Sequence, residues 1–432
     1  MIRKILIVFL LISATTLLAQ RTSSSPYSFF GIGDQYTPKT VENATMGGIG
    51  VAFNHYKYLN FTNPAANAFL RQTTYAVGIL NNDLTLKTAD TEQSSIATSL
   101  NYIALGFPIG NKAGFSFGVQ PLSSVGYSLS NNTYDAENEL SSITVYSGDG
   151  GVNRLFGSFG IKVSKALALG VEVDYSFGAI ENSIINQRAA VALATRYKEE
   201  SVIRGSAVTF GAQYNKILKK KRYVNAGATL KLGSDLKTTG DEYLYSLTIS
   251  GAGTDIPRDT IATSKISGAY KLPIKTVLGI GMGVYDKWHV GAEFQNQDAL
   301  QAEGFINNSA SAYRYEQSNR FSLGGFYLPK INSLSSYFKR VTYRAGLRYE
   351  KLGLAINGAS TDSNFTSIED FGMSFGLGLP LKQASSVNLG FEFGKRGTTA
   401  NNLIEENYFN VRISLSLTAS GAQSWFRKRK ID

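Results

Sequence analysis

Near its C-terminus the chain reads Tyr408-Phe409-Asn410-Val411-Arg412-Ile413-Ser414-Leu415-Ser416-Leu417. Apolar side chains occupy every second position from Phe409 to Leu417, and polar side chains occupy the positions between them. A period of two predicts a β-strand with one apolar face and one polar face. About ten residues is also the length that a tilted strand needs to cross the hydrocarbon layer of a membrane.

Comparable segments recur along the chain. We interpret them as strands at residues 73–87, 94–109, 113–129, 150–164, 166–184, 200–217, 221–236, 269–286, 287–299, 313–328, 339–357, 364–380, 385–396 and 405–418. They number about fourteen, and bacterial outer-membrane barrels have an even number of antiparallel strands. The pattern predicts an all-β fold, a transmembrane antiparallel β-barrel of about 14 strands.

The connections between these segments alternate in length. Short ones lie at residues 109–113, 164–165, 218–222 and 285–287, and long ones at 131–149, 186–199, 237–267 and 301–312. Barrels of this class have short periplasmic turns and long external loops. The alternation therefore predicts that both chain termini are periplasmic.

Composition narrows the class of protein. The chain of 432 residues is 43% hydrophobic and only 17% charged, against about 25% charged in soluble domains. It has no cysteine, which excludes a disulfide scaffold and a cysteine-ligated metal site. The formal net charge of +11 is spread over the short turns and the C-terminal end. This distribution argues against binding of nucleic acid and is consistent with basic turns that contact outer-membrane lipid. Solvated turn residues without a binding role are the alternative interpretation.

The first twenty residues have the pattern of a secretory signal peptide. Arg3 and Lys4 precede an apolar run from Ile5 to Leu18, and Ala19 supplies a small residue near a cleavage site. An N-terminal membrane anchor is the alternative interpretation. We exclude residues 1–20 from the fold. After them no run of about 18 apolar residues occurs, so the sequence predicts no helical membrane span.

A soluble all-β sandwich or propeller is the alternative architecture. It would need protein on both faces of each strand, whereas the strands here repeat one apolar and one polar face. The sequence also lacks a repeat of propeller length. Both observations favour the membrane barrel.

The segment before the first strand reads Ala44-Thr45-Met46-Gly47-Gly48-Ile49-Gly50-Val51-Ala52 and then Asn60-Phe61-Thr62-Asn63-Pro64-Ala65-Ala66-Asn67. This stretch resembles the FadL-like (OmpP-TodX-like) family of outer-membrane barrels. The resemblance implies that residues 21–72 form a hatch inside a barrel of residues 73–418. The hatch residues that it implies are Gly47, Gly48, Gly50, Asn63, Pro64 and Ala65. A structural plug without a gating role stays open as the alternative.

Two other stretches, residues 25–34 and 395–399, are similar to a subgroup of that family in Bacteroidota. The chain departs from typical barrels by continuing past its last strand, with a basic tail at residues 419–432. We expect Trp425, Phe426, Arg427 and Lys428 to contact a periplasmic partner or the inner leaflet.

Pro121 lies in the middle of the third predicted strand. Proline removes a ladder hydrogen bond and belongs at strand edges or bulges, and a closed barrel has no edge. We therefore expect a bulge or a break in the wall at Gln120, Pro121 and Leu122. FadL-like proteins have a kink in their third strand that opens a lateral exit, and the resemblance implies this role here. A bulge without function is the alternative.

These features favour passive transport of a hydrophobic small molecule through a hatch and a lateral opening. The alternative is an accessory barrel subunit of a larger outer-membrane protein secretion or assembly complex, with other envelope proteins as partners. The sequence offers no Ser, His and Asp cluster that can be placed as the site of an outer-membrane enzyme such as a lipase. We interpret its only two histidines, His55 and His289, as packing residues. We expect no enzymatic activity, cofactor or metal.

Overall fold

The computed structural model describes residues 25–250, 254–303, 312–358, 364–381 and 385–419. The predicted signal peptide and Trp425, Phe426, Arg427 and Lys428 lie outside this part of the chain. Within it, one short helix and nineteen strands are formed, with 3-10 turns between some of them.

The strands follow one another in the order of the sequence. The first part of the chain holds β1 (Asp34–Gln35), helix α1 (Val41–Ala44), β2 (Thr73–Lys87), β3 (Glu92–Ile109), β4 (Ala113–Tyr134), β5 (Leu140–Lys162), β6 (Leu167–Arg188), β7 (Ala194–Ile217), β8 (Arg222–Lys231) and β9 (Ser234–Ile249). The second part holds β10 (Asp255–Leu272), β11 (Lys275–Val284), β12 (Trp288–Gln297), β13 (Gln301–Glu303), β14 (Tyr313–Tyr315), β15 (Ser318–Tyr327), β16 (Thr342–Asn357), β17 (Phe365–Pro380), β18 (Ser386–Gly397) and β19 (Glu405–Ala419). The 3-10 helices are Pro26–Phe29, Pro64–Phe69, Lys219–Lys221, Phe338–Arg340 and Ala400–Asn402.

These strands close a barrel of fourteen wall positions. The last strand, β19, pairs with the first wall strand, β2, over its full length from Glu405↔Lys87 to Ala419↔Thr73. Four positions each consist of two consecutive segments with a short break: β8 with β9, β10 with β11, β12 with β13, and β14 with β15. The predicted antiparallel barrel of about fourteen strands is confirmed.

The alternation in β19 has the polarity expected of a membrane barrel. Ile413, Leu415 and Leu417 are 47%, 39% and 46% exposed, whereas Ser414 and Ser416 are buried. Large apolar side chains are exposed in the same alternating way on strands all around the wall, including Phe117, Phe210, Phe294 and Phe375. An outward face of this kind is stable only in lipid, because in water it would leave a large apolar surface exposed.

The predicted long connections are shorter in the structure than the sequence suggested. Residues 237–249 and 255–267 belong to the hairpin of β9 and β10, and β4 to β7 likewise extend into the predicted loops. The apolar and polar alternation is weak there because these ends of the strands do not face hydrocarbon. Backbone pairing holds the extensions together instead.

No helix in the described ranges is long and apolar enough to cross a membrane.

Residues 25–72, here called the N-terminal segment, contact every wall strand on its inward-facing side. Twelve strands make this contact with a glycine, at which an added Cβ atom would meet an atom of the segment. We call these residues the glycine belt: Gly106, Gly114, Gly160, Gly170, Gly211, Gly227, Gly279, Gly291, Gly324, Gly346, Gly376 and Gly390. The two other strands contribute Thr74, whose hydroxyl donates to the Lys57 carbonyl, and Ser416, whose hydroxyl donates to the Glu42 carboxylate. The wall is therefore shaped to fit the segment.

Candidate functional site

The glycine-rich stretch of the N-terminal segment fits closely against the wall. Gly47 adopts a φ of +68°, and a Cβ atom there would lie 2.6 Å from the carbonyl oxygen of Leu347. Both conditions exclude a larger residue. The Gly47 N–H donates to the Ser374 hydroxyl at 2.9 Å. The predicted hatch residues Gly47 and Gly48 thus contact β15 to β17.

A buried carboxylate on β12 holds the next glycine. Glu293 accepts hydrogen bonds from the backbone N–H groups of Gly50 and Val51, both at 2.7 Å, and from the Lys39 ammonium at 2.8 Å. The side chains of Glu293 and Lys39 are only 4% and 7% exposed. Burial lowers the pKa of Lys39, and the Glu293 carboxylate opposes that shift. Glu293 therefore fixes two points of the N-terminal segment to the wall.

Asn63, Pro64 and Ala65 begin the 3-10 helix Pro64–Phe69. The Asn63 side-chain oxygen accepts from the Ala65 N–H at 3.0 Å and caps the helix. Its amide group donates to the carbonyls of Val51, at 2.7 Å, and Ala212, at 3.0 Å. Asn63 thereby joins the Asn-Pro-Ala motif to the glycine-rich stretch and to β7.

Asn60 completes this junction and was not among the predicted site residues. Its amide donates to the carbonyls of Gly50 and Phe53, both at 2.7 Å, and its oxygen accepts from the Thr62 and Asn63 N–H groups. The sequence signal for Asn60 is weak. It is only an asparagine three residues before Asn63, and the Gly50 carbonyl to which it donates lies ten residues away in the chain.

Pro121 lies at an irregularity of the wall. The register between β4 and β5 shifts between Pro121 and Ser123. Just past this shift, Gly151 and Gly150 of β5 pair with Ser124 and Val125 and have positive φ. Gln120, on the inward side, accepts from the Arg154 guanidinium at 3.1 Å. Leu122 packs against the apolar cluster described below. The structure thus shows a bulge at the predicted position.

The same region contains a longer interruption that the sequence did not reveal. Within the described strands, the ladder between β3 and β4 extends only from Ile109↔Ala113 to Ile103↔Val119. Both strands continue, to Glu92 and Tyr134, without pairing to each other. We call the boundary between these unpaired parts the seam. Pro121 lies two residues past the last pair.

Residues Asp34, Gln35 and Tyr36, here called the strap, cover the seam. Asp34 and Gln35 form β1, which pairs with Ser124 and Ser123 of β4, and the Tyr36 N–H donates to the Leu122 carbonyl at 2.9 Å. The Tyr36 hydroxyl hydrogen-bonds with Ser124 of β4 and with Ser99 of β3, and burial raises the pKa of Tyr36 to about 12. The strap therefore bridges the two strands where they do not pair with each other.

An apolar cluster lies on the inward side of this region. It contains Ile32, Val125, Tyr127, Val152, Ile180, Ile203, Leu236, Tyr270 and Leu300. Phe29 packs on it, with its ring 5.3 Å from that of Tyr127. Because Val125 and Tyr127 lie on β4 just past Pro121, apolar side chains extend from the lumen to the seam.

The family assignment rests on a comparison over the full length of the chain. The family model described as BamG matches residues 1–432. The chain belongs to the BamG family. No curated protein sequence matches it.

Solved structures show what the fold of this BamG-family chain resembles. The toluene transporter TbuX of Ralstonia pickettii is 14% identical, with a TM-score of 0.57 over 89% of this chain and 98% of the transporter. A FadL homologue of Pseudomonas aeruginosa is 15% identical, with a TM-score of 0.59 over 89% and 98%. The toluene transporter TodX of Pseudomonas putida is 16% identical, with a TM-score of 0.57 over 89% and 99%. The fold is therefore the FadL-type outer-membrane barrel, as the sequence resemblance implied.

The side of the BamG-family lumen formed by β16 to β19 is strongly polar. Arg348 pairs with Glu392 at 2.8 Å and with Asp370 at 3.3 Å, and Arg396 pairs with Asp370 at 3.2 Å. Asp34 of the strap joins this network through Arg396 at 3.1 Å. These groups line a cavity of about 240 Å³. The lumen thus has a charged side and an apolar side, and the strap contacts both.

The two histidines pack as predicted. His289 is 1% exposed, and its Nδ1 atom lies 3.1 Å from the Tyr223 hydroxyl. His55 stacks on Tyr56 and Tyr58, with both ring centroids 4.5 Å away. Burial holds the pKa of His55 well below 6.5, and the Lys57 and Arg344 charges add to this shift.

Proposed function

We propose that this BamG-family barrel lies in the outer membrane with periplasmic termini and lets a hydrophobic small molecule cross passively. The molecule would leave the lumen sideways, through the seam between β3 and β4. The observation that carries this proposal is the apolar cluster beside a part of the wall where two neighbouring strands do not pair. An unpaired boundary can part without breaking a backbone ladder, which costs less than opening any other wall position.

In this proposal residues 21–72 act as a hatch, and only its first part moves. The part from Val41 to Leu70 is held by the glycine belt, by Glu293 and by Asn63. The strap is held by a short ladder to β4, the Tyr36 hydroxyl and a partly exposed ion pair between Asp34 and Arg396. The strap has fewer contacts than the part from Val41 to Leu70, and its contacts are more exposed. Its opening therefore costs less free energy.

The apolar side of the lumen sets the class of ligand. A charged or strongly polar solute that moves past Val125, Tyr127 and Ile32 would lose its water shell, which costs free energy. An apolar solute does not pay this cost, because contact with apolar side chains is favourable for it. The two toluene transporters of similar fold are named for a ligand of this class. The sequence shows no recognisable energy-coupling segment, so the driving force would be the concentration gradient.

The bulge at Pro121 provides the first test. We would replace Pro121 by valine, which can pair through its backbone N–H, and replace Pro108 by valine as a matched control. Pro108 lies in the paired part of β3, opposite Gly114. Uptake of a hydrophobic fluorescent dye by cells producing each variant should fall for Pro121→Val and stay unchanged for Pro108→Val. Unchanged uptake in both variants would remove the lateral exit from the proposal.

A second function is favoured by how the lumen is filled. Phe29 and Ile32 of the chain itself occupy the apolar cluster, so an apolar ligand would have to displace them. The turn between β15 and β16 exposes Leu334 and Phe338, which are 104% and 73% exposed. A permanently closed barrel with apolar contact points fits an accessory subunit of an outer-membrane complex. The predicted tail contacts Trp425, Phe426, Arg427 and Lys428 would serve the same purpose.

Native mass spectrometry after gentle extraction from the native membrane separates the two functions. A monomer that carries an apolar molecule supports transport. A stoichiometric complex with other envelope proteins, without a bound apolar molecule, supports the subunit role.

A further inference from the structure

A second cavity lies at the end of the barrel where the short turns are. Its volume is about 170 Å³, and it lies between the N-terminal segment and the turn that contains Tyr285 and Asp286. Seven of its eighteen lining residues are phenylalanine or tyrosine, including Phe53, Tyr56, Tyr58 and Phe326. It is separate from the apolar cluster and from the seam, and the proposed transport route does not use it.

Three cations line this cavity without an ion-pair partner among the described residues: Lys57, Arg71 and Arg344. Arg344 is the most informative because it is only 4% exposed. One of its terminal nitrogens, Nη1, donates to the Asn388 side chain at 3.0 Å. The other, Nη2, is buried and has no hydrogen-bond partner in the described part of the chain. A buried donor without a partner is costly and calls for an explanation, such as a missing ligand.

The carboxylates near these cations do not neutralise them. Glu42 and Asp286 also line the cavity, which leaves three cations against two acids. The Glu42 carboxylate accepts hydrogen bonds from Asn388 at 2.9 Å and from Ser416 at 3.0 Å. Asp286 lies in an exposed turn. Neither carboxylate therefore supplies an acceptor for Nη2 of Arg344.

The geometry points to a small organic carboxylate with a flat apolar body as the ligand of this cavity. A guanidinium offers paired N–H donors that match a carboxylate, and Arg344 has an unpaired one. The Arg344 guanidinium carbon lies 5.7 Å from the centre of the Tyr58 ring, so a bound carboxylate would extend its flat body along aromatic faces. We propose that the cavity binds aromatic acids from the periplasmic side.

Calorimetric titration of the purified full-length protein tests this assignment with benzoate as the probe. Benzyl alcohol has the same ring without the charge, and acetate has the charge without the ring. We expect saturable binding of benzoate, at least about 10-fold tighter than that of either comparison compound. Benzoate that binds no more tightly than benzyl alcohol or acetate, or that does not saturate, would overturn the proposal.

Variants locate the site. Arg344→Met should weaken benzoate binding by at least about 10-fold, and Arg71→Met by a smaller factor because Arg71 is exposed. Lys287→Met is the matched control: Lys287 is an exposed cation at the same end of the barrel, outside the cavity, and its loss should change nothing. If Arg344→Met does not fold, benzoate binding by Arg71→Met and Tyr58→Leu tests whether this cavity is the binding site. Benzoate binding that is unchanged in the folded cavity variants would exclude this cavity.

Discussion

Replacing Glu293 by glutamine should release the middle of the N-terminal segment from the wall. The glutamine keeps the shape of the side chain but cannot accept from the Gly50 and Val51 N–H groups and also pair with the Lys39 ammonium. Breaking a buried ion pair by removing one partner costs about 3–5 kcal/mol. Since about 1.4 kcal/mol corresponds to a tenfold change, local opening of the segment should increase by roughly two to three and a half orders of magnitude.

The absence of cysteine from the natural chain makes this opening measurable. A single cysteine in place of the buried Ala52 would react with a maleimide only when the segment opens. We expect Glu293→Gln to raise the labelling rate by at least about 100-fold while the barrel stays folded. The control is Glu369→Gln, which removes an exposed carboxylate that lies 3.6 Å from Lys351. A labelling rate in Glu293→Gln within twofold of the control would show that Glu293 does not hold the segment against the wall.

Three further predictions concern the belt, the strap and the histidine. Gly170→Val should lower the stability of the folded barrel by about 1–3 kcal/mol, because the valine side chain would overlap the backbone of Pro64 and Ala65. Gly157→Val is the control and should leave the stability unchanged, because only the Phe115 ring lies near Gly157. The two variants are compared by the temperature at which the folded barrel loses its characteristic gel mobility. Tyr36→Phe removes the hydroxyl that hydrogen-bonds to both sides of the seam, which should destabilise the closed strap by about 1–2 kcal/mol. Dye uptake should therefore rise several-fold. Unchanged uptake would argue against the strap as a gate. His55 is neutral when folded and has its pKa near 6.5 when unfolded, so its contribution to stability is complete above that pH and is lost as the pH falls below it. Melting curves between pH 7.5 and 5 should therefore shift less for His55→Gln than for the natural chain, and equal shifts would contradict this.

The wall of the barrel was predictable because each strand lies between two different environments. Lipid on one side and a filled lumen on the other impose the alternation seen from Phe409 to Leu417. The bulge at Pro121 was also predictable, since proline cannot complete a ladder. Beyond the membrane the alternation weakens, and for this reason the extensions of β9 and β10 were mistaken for loops.

The site depends on contacts that sequence spacing does not encode. The end of the β3 and β4 ladder follows from the placement of the strap, which comes from a segment about 90 residues earlier than its partner on β4. The Glu293 carboxylate accepts from the Gly50 N–H, and the two residues are 243 positions apart in the chain. No local sequence pattern predicts that pair. The Asn-Pro-Ala motif lies in the segment that contacts the wall, and Asn60, which joins this motif to the glycines, gives only a weak sequence signal.

The strap itself permits the most direct test of the proposed route. Gln35 and Ser123 are directly paired across β1 and β4. Opposed residues of an antiparallel pair lie about 4.5–5.5 Å apart at Cα, within the range that a disulfide spans. A Gln35→Cys, Ser123→Cys double variant would lock the strap when oxidised and release it when reduced. We expect uptake of a hydrophobic dye to stop in the oxidised state and to return with reductant. Equal uptake in both states would contradict the lateral route.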